Sequence, residues 1–118
     1  MNTKAKKQKR IRRHIRIRAK IKGTALRPRL SVFRSHKDLL LQLIDDTAGR
    51  TIVSASGRDI AKKERQGRVA LATLLGALIA HKAQEKNITQ AVFDRGGYRY
   101  HGAVRAVAEA VRAGGLNV

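Results

Sequence analysis

The stretch richest in chemistry is FDRGGYRYHG at residues 93–102, where Arg95, Arg99 and His101 surround Tyr98 and Tyr100. Tyrosine rings stack on unpaired bases, guanidinium groups fork onto phosphate or lie on base planes, and adjacent glycines let one backbone approach another closely. The two tyrosines are half of the four aromatic residues in the chain. Their concentration in one basic turn is therefore a signal in itself. Either ring has an alternative as a half-buried core residue, with the glycines serving only the turn; Arg95 and Arg99 have no such apolar alternative.

Enzyme readings of the same turn fail on spacing. GGYRYHG matches neither the phosphate-binding loop with its Gly-Lys-Ser/Thr end nor the dinucleotide GxGxxG pattern. His101 has Tyr100 beside it and Asp94 further off, but no Ser, Cys or second His completes a triad; an RNA or backbone contact is the expectation. Asp45 and Asp46 are adjacent, so on extended chain they point apart, and DDTAG reads as a hairpin turn rather than a cation site. No catalytic residue, metal ligand or cofactor is expected, and no small-molecule substrate.

A second basic cluster comprises Arg27, Arg29, Arg34, His36 and Lys37, interleaved with Ser31, Phe33 and Ser35. On an alternating strand Arg29, Ser31, Phe33 and Ser35 share one face. That face is too polar for a core except at Phe33, which is open to two readings, a stacking platform or a core ring. A third group, Lys6, Lys9, Arg10, Arg12, Arg13, Arg16, Arg18, Lys20 and Lys22, fills the N-terminal arm.

These groups explain the overall charge. The 118 residues carry 27 Lys and Arg against 8 Asp and Glu, a net +19, and 13 of the cations lie in residues 4–29 without one acid. Such a chain seeks a polyanion, since neutralised phosphates release counterions and relieve its self-repulsion. There is no cysteine, hence no disulfide or thiol chemistry. No apolar run approaches the roughly 18 residues of a membrane span, and no apolar segment follows the basic start as in a secretory signal. A protein of the cytoplasm is expected.

The elements that must position these groups divide at about Pro28, giving a basic arm over 1–28 and one α/β domain over 29–118. The arm has no Pro or Gly over residues 4–22, so a helix is permitted. Like-charged pairs four apart, such as Lys6 with Arg10 and Arg12 with Arg16, oppose it by about 0.2–0.5 kcal/mol each. The arm is expected to be largely unfolded alone and helical on RNA. Ile11 and Ile15 lie away from Ile17 and Ile21 at about 100° per residue, which leaves no apolar face for a membrane surface.

In the domain, strands are predicted over 29–35, 39–44 and 51–56, joined by short turns into an antiparallel meander. The second, almost wholly apolar, is expected to be buried on both faces. A long helix from Asp59 or Ile60 to about Lys86 presents Leu71, Leu74, Leu75, Leu78 and Ile79 as one stripe. Within it Gly76 suggests close packing and Gly67 fraying. A fourth strand over 89–94 and a helix over 103–113, with Val104, Val107, Ala108 and Val111 inward, complete the domain. The simplest right-handed crossover sets strand four parallel to strand one, in the sheet order 3-2-1-4.

RPRLSVFRS at 27–35, IDDTAGRTIVSAS at 44–56 and VFDRGGYRYHGAVRAVAEAVRAGGL at 92–116 together resemble one family, bacterial large-subunit ribosomal protein eighteen. The resemblance covers essentially the whole chain. It implies a ribonuclease-H-like mixed α/β domain in the central protuberance of the large subunit, joining 5S rRNA to the large-subunit rRNA beside other 5S-associated ribosomal proteins. By matching motifs it implies RNA contacts at Arg27, Arg29, Arg34, Ser35 and His36, and at Arg95, Tyr98, Arg99 and His101; in the arm only the segment transfers. Residues 39–42 depart from the pattern, because similar proteins often carry an aromatic ring there and this chain has Leu39, Leu40 and Leu41. The fold also raises a nuclease alternative, but two-metal hydrolysis needs clustered carboxylates on neighbouring strands and residues 29–35 contain none.

Overall fold

The computed structural model describes residues 3–18, 21–35, 38–61 and 67–118. A helix α1 (Thr3–Arg18) precedes strands β1 (Arg29–Arg34), β2 (Leu39–Asp45) and β3 (Arg50–Ser56), followed by a 3-10 turn at Gly57–Asp59. Helix α2 (Arg68–Glu85), strand β4 (Val92–Asp94) and helix α3 (Ala103–Ala113) complete the chain. The sheet runs β3-β2-β1-β4. Both meander pairs are antiparallel and β1 pairs β4 in parallel, the arrangement expected from strand spacing and crossover handedness.

Helices α2 and α3 pack on one face of this sheet. Leu30 and Val32 stand opposite Leu43 and Leu41, and all four are buried beneath the stripe of Leu71, Leu75 and Ile79. The inward residues of α3 are those expected, Val104, Val107, Ala108 and Val111. Close approach of the two helices depends on Gly76, where an added Cβ would lie 2.7 Å from the Ala110 methyl and 3.0 Å from the Val107 carbonyl. Side-chain stems that short cannot coexist, so Gly76 is a packing residue.

Two expectations are corrected. Strand β2 is not buried on both faces: Leu39, Leu41 and Leu43 are buried, whereas Leu40, Gln42 and Ile44 are only half covered. Both domain helices lie on the same side, which leaves the other face without a helical layer. The long helix does not begin at Asp59 or Ile60. Asp59 turns back to accept the Ser56 amide at 2.8 Å, Ile60 is extended (φ −112°, ψ 130°), and Gly67 takes φ 95° just before α2. Local carboxylate-to-backbone bonding at the 3-10 turn thus competes successfully with helix initiation there.

Candidate nucleic-acid interface

The basic turn after β4 is shaped by one buried carboxylate. Asp94 is fully buried; its Oδ1 accepts the Gly96 amide at 2.9 Å and its Oδ2 accepts Arg29 Nη1 at 2.9 Å. Gly96, at φ 65°, lies so close to β1 that an added Cβ would meet the Val32 carbonyl at 2.9 Å. The backbone then folds over the end of β1. There the Tyr98 hydroxyl donates to the Arg34 carbonyl at 3.1 Å and accepts the Arg34 amide at 3.3 Å, completing a strand edge that β4 is too short to reach.

Tyr98 is buried among cations rather than free to stack. The Arg10 guanidinium lies 4.6 Å from the ring centroid and that of Arg34 5.3 Å, both within cation–π range. Arg13 Nε donates to the Gly97 carbonyl at 3.2 Å. Helix α1 is thereby held against the turn through Arg10 and Arg13, with Lys6 spaced to share their helical face. Tyr100 is the exposed ring of the pair. It sits edge-on to Phe93, with centroids 6.4 Å apart, and its hydroxyl accepts Arg112 Nη1 at 3.2 Å.

Between α1 and the turn runs a cleft of about 820 Å³, lined by Lys6, Lys7, Arg10, Arg13, Arg34, Tyr98, Arg99, Tyr100 and His101. Six of the lining residues are Lys or Arg and none is acidic. A smaller depression of about 320 Å³ continues past Arg34 and Ser35 to Arg68 at the start of α2. A cationic channel walled by aromatic rings suits a phosphate backbone with adjacent bases, because charge grips the first and ring faces meet the second.

Eight of the residues singled out in the sequence meet in this cleft: Lys6, Arg10, Arg13, Arg34, Tyr98, Arg99, Tyr100 and His101. Lys9, Arg12 and Arg16 are exposed on the neighbouring side of α1, and Lys22 and Arg27 are exposed between α1 and β1. Arg95 is half-buried and outside the lining. Ser35 serves the turn to β2, its hydroxyl accepting the Asp38 amide at 3.1 Å. Phe33 lies 53% exposed on the uncovered face of the sheet, which decides against the core reading. Lys20, His36 and Lys37, and the side chain of Arg18, lie outside the described residues. Lys7 and Arg68 were missed. Lys7 stands in the same cationic run and was legible; Arg68 reaches the site from the first turn of α2.

Arg29 is held differently from the other residues expected to contact RNA. Its Nε and Nη2 bind both oxygens of Asp46 at 3.0 and 3.1 Å, its Nη1 binds Asp94, and its side chain is only 10% exposed. Burial works against the charged guanidinium, but the two carboxylates outweigh it and hold its pKa above the usual arginine value. Each of its three nitrogens is thus engaged by a carboxylate of the chain itself. A strand residue flanked by cations gives no hint of this, since both acids arrive from distant segments. The hairpin reading of the acidic pair holds for Asp45, whose Oδ1 accepts the Thr47 and Ala48 amides at 3.0 and 3.3 Å.

This architecture defines a class: an RNA-binding α/β protein whose cationic helix is folded back on a basic turn. The family model for ribosomal L18 of archaea, bacteria, mitochondria and chloroplasts matches residues 4–118. The chain is 57% identical over 111 residues to large ribosomal subunit protein uL18 of Lysinibacillus sphaericus, covering 94% of this chain and 93% of that one. It is 54% identical over 118 residues to the uL18 of Brevibacillus brevis, covering 98% of both. The chain belongs to the ribosomal L18 family.

Proposed function

We propose that the chain is a structural, non-enzymatic component of the large ribosomal subunit that binds 5S rRNA and helps to attach it to the large-subunit rRNA in the central protuberance. What carries the reading is the cleft between α1 and residues 97–101, with six cationic side chains, no acid, and the exposed Tyr100 at its wall. Arg34, Arg99 and the inner stripe of α1 grip phosphates there. Lys9, Arg12 and Arg16 are exposed on the neighbouring side of α1, so a second RNA segment or a neighbouring 5S-associated protein can meet the helix there. Shape and 2′-hydroxyl contacts give a preference for RNA over matched DNA.

The test is binding of the full chain and of a chain lacking residues 1–22 to 5S rRNA, to unrelated RNA and to matched duplex DNA at physiological salt, with nucleotide-resolution footprinting. The full chain prefers 5S rRNA, and the truncated chain binds more weakly while keeping that preference. Equal affinity for 5S and unrelated RNA would overturn the assignment.

A further inference from the structure

The face of the sheet opposite the helices carries a feature that the cleft does not use. Phe33 and Arg34 are consecutive on β1 and so point to opposite faces. Arg34 turns toward Tyr98, whereas Phe33 lies 53% exposed on the open side, directly across from Leu40, which in turn stands opposite Ser56. Together with Ser35, Asp38 and Arg58 they border a hollow of about 340 Å³. An aromatic ring left this open forgoes the burial that would stabilise it in the folded chain.

We propose that this hollow is a second RNA subsite, which takes one unpaired base on the face of Phe33 with its phosphate on Arg58. The proposal rests on the reading of the chain as a 5S rRNA binder. A base within a duplex presents no free face, so the ligand is a nucleotide splayed from a loop or bulge. An open ring face with a cation at its border suits a base and its phosphate better than an apolar protein segment. Among the described residues Arg58 has no ion-pair partner, while Asp38, the one acid of the border, has Oδ1 committed to the Leu39 and Gly57 amides at 2.7 and 2.8 Å. The end of β1 is then gripped from both faces, by the cleft at Arg34 and by a stacked base at Phe33.

The experiment compares full-length wild type, Phe33→Leu, Phe33→Tyr, Arg58→Gln and Arg99→Ala for 5S rRNA affinity, its salt dependence and base reactivity. Phe33→Leu lowers affinity at least roughly fivefold, the lower end for loss of a base–aromatic stack, with the salt slope unchanged and one unpaired base newly reactive. Phe33→Tyr retains that protection, and Arg58→Gln reduces the log–log salt slope by roughly 0.7–0.9. Unchanged affinity and protection in Phe33→Leu, with the wild-type slope in Arg58→Gln, overturns the subsite; a simultaneous loss in Arg99→Ala leaves the 5S reading standing. If wild type itself shows no preference for 5S rRNA, the underlying reading falls instead. A Phe33→Leu defect seen only with another ribosomal protein, and not with RNA, overturns the base in favour of a protein contact.

Discussion

Arg29 and Asp94, 65 positions apart, meet at 2.9 Å at the parallel junction of β1 and β4. The same guanidinium holds Asp46, whose Oδ2 also accepts the Gly23 amide at 2.7 Å, and the other oxygen of Asp94 holds the amide of Gly96. One buried cation therefore ties the root of the arm to the basic turn. Removing one partner of a buried pair leaves the remaining charges uncompensated, which typically costs about 3–5 kcal/mol. Arg29→Met should lose stability of that order in denaturant melts. A variant that melts like wild type but binds RNA poorly would return Arg29 to the phosphate-contacting surface.

The packing of Arg10 on Tyr98 makes a second prediction. Isolated, α1 suffers repulsion between Lys6 and Arg10, Lys9 and Arg13, and Arg12 and Arg16, each about 0.2–0.5 kcal/mol. Docking on the ring offsets part of it, a cation–π contact contributing about 0.5–2 kcal/mol. Arg10→Gln should speed amide exchange throughout residues 3–18 and lower the helical circular dichroism of the free protein, and 5S rRNA should restore both. Exchange in Arg10→Gln as slow as in wild type would show that the ring does not hold the helix.

Arg99 and Arg112 allow a paired comparison, since both flank Tyr100 but only Arg99 lines the cleft. Arg99→Ala should weaken 5S rRNA binding and flatten its salt slope by about 0.7–0.9, the value for one phosphate contact. Arg112→Ala should change affinity less, because its link to the RNA passes through the Tyr100 hydroxyl alone. The reverse order would place the RNA on the α3 side of Tyr100.

How legible this was depended on how local the causes were. Alternation along β1, the stripe of α2 and the inward valines of α3 are short-range patterns, and they led to the correct sheet order and core. The cationic cleft was legible as composition, because residues 4–29 carry 13 cations and no acid of their own to neutralise them. What could not be seen arose between distant segments. Arg29 looks like its surface neighbours until Asp46 and Asp94 arrive, and Tyr98 looks as free as Tyr100 until α1 covers it. The late start of α2 was hidden for a local reason: the capping capacity of Asp59 was spent on the 3-10 turn instead of a helix.

Asp45 yields a prediction in pH. The Thr47 hydroxyl is the main cause holding its carboxyl below the ordinary value of 3.8, aided by the Ala48 and Thr47 amides and Arg50 against the opposing effect of burial. A carboxyl whose folded pKa is depressed contributes stability above its unfolded pKa and loses it as pH falls toward the folded one. Wild type should therefore exceed Asp45→Ala in melting temperature by its full margin at neutral pH, and the margin should shrink below pH 3.8. Because the turn also needs Gly49 at φ 66°, Gly49→Ala tests the same hairpin without a titrating group. Its deficit should persist across the whole range, and a deficit that vanished in acid alongside that of Asp45→Ala would mean that the hairpin itself opens before the Asp45 carboxylate is protonated.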